Sequence, residues 1–180
     1  MKIVYEYSHL GGAEILQVHK PEILKEIRDT IASISVGKTK VSKEITSMGK
    51  MLYSPKELNS EFKKKFEEKG YFEIRDPYTI ELPNYSTKIT GAYKQIDFVK
   101  DQIFIEVQFG KYAFMFYDLA KFQYFFNKSD AKVGVEIVPS HDLHKQMSTG
   151  VSYGEQLVYD IERLKRHFPA VPVMIIIIDL

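Results

Sequence analysis

Two carboxylates and an amide stand at a spacing that could hold a metal ion: Asp97, Glu106 and Gln108 within QIDFVKDQIFIEVQF, residues 95–109. The stretch reads as two apolar strands around a polar turn near Lys100–Asp101. Side chains alternate along a strand, so Glu106 and Gln108 share one face while Ile105, Val107 and Phe109 occupy the other. A two-residue turn at Lys100–Asp101 pairs Asp97 with Phe104 and leaves Glu106 diagonally adjacent. A four-residue turn sets Asp97 directly opposite Glu106. Either register puts both carboxylates on one face, about 5–8 Å apart, whereas a bulge would move Asp97 to the other face and remove this argument. Two carboxylates at that separation suit one hard cation bound through oxygen. Such an ion can neutralise a phosphodiester and make its bound water nucleophilic near neutral pH. Gln108 could hold that water or a phosphate oxygen, but being neutral it cannot act as a general base.

The spacing alone does not decide. D-x(8)-E-x-Q is short, and a solvated hairpin face carries the same residues; a carbohydrate-active carboxylate pair is also admissible. The strand around Glu106 is apolar on both sides, so a carboxylate there is partly buried and needs a partner. The following GKYAF brings a glycine and a cation just past the strand end.

The surrounding sequence supplies elements to position this hairpin. Pro21 to Ile34 has apolar residues at Ile23, Leu24, Ile27, Ile31 and Ile34, an amphipathic helix with proline in its first turn. Ser54 to Lys69 opens with a serine cap, a proline and a glutamate three residues on, and ends at Gly70. Tyr112 to Asn127 reads as a buried aromatic helix, Val133 to Val138 as a strand stopping at Pro139, Tyr153 to His167 as a helix, and Val171 to Ile178 as an interior strand. The segment Pro77 to Lys94 contains strand-like pieces and two prolines and takes no clear assignment. Strands separated by helices predict an α/β fold, a mixed central sheet flanked by helices, in a single domain over residues 1–180.

Composition sets further bounds. There are no cysteines among the 180 residues, so any metal must be held by oxygen or imidazole, favouring Mg²⁺, Ca²⁺ or Mn²⁺ over structural zinc. Twenty-five basic residues against 24 acidic ones give none of the basic excess that most DNA binders show, so positive surface must be local. The longest apolar run is too short to span a bilayer, and MKIVYEYSHLGG lacks the pattern of a secretory signal; the expectation is a cytoplasmic protein without membrane contact.

Other features weigh less. His141 and His144 have i, i+3 spacing but no evident third ligand, which favours a surface or capping role; His9 and His19 are expected to support the N-terminal structure. The aromatics Tyr112, Phe114, Phe116, Tyr117, Phe122, Tyr124, Phe125 and Phe126 are expected to fill a core, with part of the block free for a subunit interface. The run Lys63–Lys65 is offset by Glu61, Glu67 and Glu68 and reads as a solvated helix face. The segment from Lys38 to Lys50 carries four lysines among Ser and Thr, with Glu44 as its one acid, and reads as a loop or loosely helical arm suited to phosphate.

At the hairpin the sequence resembles a known family. QIDFVKDQIFIEVQFGKYAFMFYDL is similar to the active-site region of type II restriction endonucleases of the BglII/BstYI branch of the PD-(D/E)xK nucleases, BstYI more than BglII. The likeness extends to IVYEYSHL, QVH at 17–19, LYSP with Leu58–Asn59, VGVEIVP at 133–139 and MSTGVSY at 147–153, and is weakest between Tyr71 and Tyr93. This branch has glutamine where most PD-(D/E)xK enzymes have the final lysine. The resemblance therefore implies that Asp97 and Glu106 are the metal-binding acids, with the Val107 carbonyl as a further ligand and Gln108 as the third catalytic member. It implies Mg²⁺, with Mn²⁺ as a substitute, and a homodimer acting on double-stranded DNA. The implied site is a GATC-centred palindrome, RGATCY, cut to leave 5′ overhangs. Lys111 can donate to purine N7 or O6 in the major groove, and Ser148 and Thr149 are the other implied base readers. A cognate DNA methyltransferase encoded nearby is the expected companion. A PD-(D/E)xK nuclease of different specificity or repair role, and a non-catalytic DNA-binding relative, are the alternatives.

Overall fold

The apolar periods dictate two kinds of surface, and the structure, a computed structural model describing residues 1–45, 48–164 and 167–180, joins them through one sheet. The strands are β1 (Lys2–His9), β4 (Phe72–Ile80), β5 (Ile89–Lys100), β6 (Ile103–Val107), β7 (Val133–Pro139) and β8 (Val173–Asp179). They are ordered β1-β8-β7-β6-β5-β4. β6, β7 and β8 run parallel to one another, and the outer pairings are antiparallel. β7 and the interior of β8 are buried on both faces, which is why they read as unbroken apolar runs.

Helices cover both sides, as the sequence predicts. On one face lie α1 (Gly12–His19), α2 (Pro21–Ser33), α3 (Pro55–Glu67) and the short α5 (His141–His144), burying Leu16, Ile27, Ile31, Leu58, Phe62 and Leu143 against Ile105, Val135 and Ile176. On the other lie α4 (Tyr112–Asn127) and α6 (Gly154–Leu164), which bury Met115, Leu119, Phe122, Phe125, Leu157 and Ile161. The Ser54 side chain accepts from Glu57 N–H, the cap expected from sequence. A Cβ on Gly134 of β7 would fall 2.4 Å from the Phe122 ring. The glycine therefore lets α4 lie close against the sheet.

Some elements differ from expectation. β1 and α1 had no clear sequence signal; β1 is an edge strand paired antiparallel with β8. Pro77 sits inside β4, which is tolerated because β4 is the opposite edge. β7 ends at Pro139 as expected, with the proline itself as its last residue, in register with Ile178. The lysine-bearing arm contains a two-stranded antiparallel pair, β2 (Lys40–Val41) and β3 (Met51–Leu52). Thr46 and Ser47 of that arm, and Lys165 and Arg166 of the expected 153–167 helix, lie outside the described residues. Part of the aromatic block is buried, but Phe114, Tyr117 and Phe126 remain exposed. Among the described residues no helix is long and apolar enough to cross a membrane.

Candidate active site

Of the two registers the sequence allows, the strands take that of the four-residue turn, closed more tightly than expected. Lys100 pairs with Ile103, so the turn is Asp101–Gln102, not Lys100–Asp101. Both turn residues have positive φ, 52° and 66°, the backbone of a primed hairpin turn whose twist matches the strands. Lys100 Nζ fixes the base of the turn by bonding Glu26 Oε2 of α2 at 2.7 Å and the Lys69 carbonyl at 2.9 Å. The pairing of β5 with β6 ends at Phe98–Ile105, which leaves Asp97 and Glu106 as the next residues on their strands.

Sidedness at Asp97 is not set by simple alternation. Against β4, Phe72 pairs with Val99 and Ile74 with Ile96, so Asp97 and Phe98 together oppose Glu73. This bulge breaks the period: Ile96 and Val99 both pack on the α4 side, while Phe98 packs on the α3 side. The sequence argument that unbroken parity puts Asp97 beside Glu106 is thereby corrected. Asp97, half-buried, lines an opening with Asn59 and Lys63 of α3, Glu73 of β4, Phe98 and Val107.

Glu106 and Gln108 are held from the α4 side. Glu106 is buried, and Lys121 Nζ donates to its Oε1 at 2.5 Å. The same ammonium lies 2.8 Å from Asp118 Oδ1, and Asp118 Oδ2 accepts from Gln108 Nε2 at 2.6 Å. Gln108 follows the end of β6, its N–H donating to the Ile137 carbonyl at 2.9 Å. Burial pushes the Glu106 carboxyl well above the usual carboxylate range; Asp118 and Asp97 add to this, and Lys121 opposes it. Asp118 is raised by the same desolvation, against the pull of Lys121 and Gln108. Burial opposes the charge on Lys121, but Glu106 and Asp118 outweigh it and hold its pKa above the usual value. Asp97 thus acts electrostatically on both buried acids although it approaches from the other helix layer.

The donor set fits a divalent cation. The side chains at this end of β5 and β6 offer oxygen donors: two carboxyls, Glu106 and Asp118, share the Lys121 ammonium, and Asp97 adds negative charge that raises both, an excess that a doubly charged ion would relieve. Among the described residues no three His, Asp or Glu side chains converge as a ready-made cage. Mg²⁺ asks for less, since it keeps several waters and takes one or two carboxylates.

The expected base readers lie on loops that the fold brings together. Lys111, exposed, precedes α4, and Gly110, its neighbour, accepts from Ser152 N–H at 2.9 Å. The 108–111 and 148–152 loops are therefore joined. The arm docks on the same loop: Lys40 Nζ donates to the Ser148 hydroxyl, and Thr149 N–H to Glu44 Oε1 at 2.9 Å. His141 and His144 pack on each other and on Tyr153 with centroids 4.8–5.0 Å apart, a structural cluster. His9, buried, bonds the Pro169 carbonyl at 2.6 Å.

Several site residues escaped the sequence reading. Asn59 drew notice only as part of a sequence likeness, and Lys63 as one of a solvated run, although Lys63 also pairs with Glu67 at 3.8 Å. Asp118 and Lys121 lay inside a block read as aromatic packing. Their signal was an i, i+3 acid–base pair in an otherwise apolar helix.

Known proteins resemble this chain in sequence and in structure. The family profile described as restriction endonuclease BglII/BglIII matches residues 4–178. No curated protein sequence matches the chain. Ten solved chains match its structure. A crystal structure of restriction endonuclease BglII complexed with a DNA 16-mer superposes with a TM-score of 0.77 and 23% identity, covering 100% of this chain and 78% of that one. A crystal structure of free BglII gives 0.67 and 21%, covering 100% and 80%. At such identities the superpositions speak for the fold alone, and the family assignment rests on the profile.

Proposed function

The chain belongs to the BglII/BglIII restriction endonuclease family and is a type II restriction endonuclease, a hydrolase acting on specific DNA sites; from that premise we propose that it cuts double-stranded DNA at RGATCY, using Mg²⁺ and the hairpin acids. The observation that carries this reading is the connected set Glu106–Lys121–Asp118–Gln108 at the end of β6, with Asp97 on the neighbouring strand near enough to raise both buried acids. Mn²⁺ is the expected substitute metal.

In this reading Asp97, Glu106 and the Val107 carbonyl hold the divalent ion. When bound, it supplies positive charge to the scissile phosphate and acidifies a water. Asp97 enters from the α3 side, where Asn59 and Lys63 can orient an incoming phosphate or water. Gln108, with its amide nitrogen held by Asp118, orients water or phosphate oxygen without taking a proton. The preformed hairpin, braced by Lys100 and Glu26, keeps these groups in place before DNA arrives.

Residues 1–180 act as one nuclease domain, and two copies read the two halves of the palindrome. Lys111 donates to the purine of the outer base pair, and Ser148 and Thr149 reach the other base edges. BglII, whose fold this chain shares, has been solved in complex with DNA, which supports DNA as the partner. Lys38, Lys40 and Lys50 of the arm add phosphate contacts. The specificity is closest to that of BstYI, with four-base 5′ overhangs, and a methyltransferase of matching specificity protects the host's DNA. Digesting a plasmid of known sequence in Mg²⁺ and sequencing the fragment ends tests the reading. Ends at RGATCY support it, and ends unrelated to GATC refute the specificity.

A further inference from the structure

Position 108 is an amide, so the strand that carries Glu106 brings no cation to it; α4 does. Lys121 Nζ touches Glu106 Oε1 at 2.5 Å and Asp118 Oδ1 at 2.8 Å, and Asp118 Oδ2 takes a hydrogen bond from Gln108 Nε2 at 2.6 Å. Glu106, Lys121, Asp118 and Gln108 form one continuous chain from strand to helix and back. The Lys121 side chain is only 11% accessible. Its ammonium is engaged by two carboxylates, so it acts through them.

We propose that Lys121 and Asp118 are positioning residues of the cleavage site: the ammonium holds the Glu106 carboxylate in place, and Asp118, held by the same ammonium, fixes the Gln108 amide. This rests on the nuclease reading of Glu106 and Gln108. Stability alone does not call for such a device, since well-packed apolar side chains at buried ion-pair positions are often as stable or more so. The rest of the buried α4 face is apolar: Met115, Leu119, Phe122 and Phe125. Asp118 and Lys121 are three residues apart, which puts both on that buried face toward the ends of β6. Gly134 allows the close approach that makes the contacts possible. The arrangement supplies from the helix the positive charge that the strand lacks.

The test uses the full chain with Lys121→Gln, which can donate to both carboxylates without charge, Lys121→Met, and Lys121→Arg. Four quantities are measured: thermal melting, binding of a duplex carrying the mapped site in Ca²⁺, Mn²⁺ binding by calorimetry, and single-turnover cleavage in Mg²⁺. Lys121→Gln is expected to lose about 10–100-fold in cleavage and in Mn²⁺ affinity while duplex binding stays within about threefold. Lys121→Arg should recover most of that loss. If Lys121→Met does not fold, Lys121→Gln decides. A folded Lys121→Gln that cuts and binds Mn²⁺ like the wild type overturns the proposal, as does an Arg variant no better than Gln. Failure of both neutral variants to fold assigns Lys121 to the core instead. A wild type that cuts no DNA refutes the nuclease reading itself; a wild type and a Gln variant that cut alike refute only this inference.

Discussion

Glu106 and Glu136 are partners in register across the parallel strands β6 and β7, yet the two carboxyls live differently. Glu106 is bonded to Lys121; both Glu136 oxygens are buried and, among the described residues, have no hydrogen-bond partner. Burial pushes Glu136 well above the usual carboxylate range, and Asp118 and Glu106 push it further. A raised pKa in the folded state means stability that is fully present below the unfolded value near 4.5 and is lost as pH rises toward the folded value. Glu136→Gln removes that loss. In the absence of divalent ions it should melt higher than the wild type at pH 8, by about 1–3 kcal/mol of stability, and gain little at pH 4. Denaturant melts at both pH values check this; an equal effect at each would show that titration of Glu136 is not the cause.

Gly110 bears on Gln108. A Cβ at Gly110 would lie 2.5 Å from Gln108 Oε1, the far end of a flexible side chain that can move aside. Gly110→Ala should therefore spare the fold and disturb the amide. Cleavage is expected to fall by about 10²-fold, the effect of a misplacement near 1 Å, with an unchanged melting temperature. Single-turnover rates beside a melting curve read both, and an unchanged rate would remove Gln108 from the reaction.

The opposite division is expected at Gly134, where the Cβ of an alanine would meet the Phe122 ring at 2.4 Å. A ring packed in the core cannot swing away. Gly134→Ala should cost about 1–3 kcal/mol by overpacking, seen in urea unfolding. Because α4 carries Asp118 and Lys121, cleavage should fall with it.

Specificity is expected to reside in Lys111. Lys111→Ala should lose about 1–3 kcal/mol of discrimination at one base pair, relaxing the outer position of the hexamer while leaving GATC required. Cleavage rates on duplexes that differ only at the outer pair measure this. A uniform loss on all sequences would instead make Lys111 a phosphate contact.

The legible parts of the fold were those encoded locally. Ser54, Pro55 and Glu57 announce α3, and the run ending at Ile178 announces an interior strand. The bulge at Asp97 was hidden because it exists only in the pairing with β4, a strand that Pro77 obscured. The register was one of the two open from sequence, and the two-residue turn that closes it was missed because Asp101 and Gln102 adopt positive φ without the usual glycine. Asp97, Glu106 and Gln108 stand out as candidates from spacing and sequence likeness. Lys121 and Asp118 do not, since their meaning depends on how closely α4 approaches β6 and β7, which Gly134 controls from a distant point in the chain.

The account stands most directly on Asp97. Wild type and Asp97→Ala are compared on a duplex containing RGATCY, with cleavage followed in Mg²⁺ and binding in Ca²⁺. The account predicts specific cutting by the wild type, none by the variant, and binding of the duplex by both. Cutting by Asp97→Ala at the wild-type rate would contradict it.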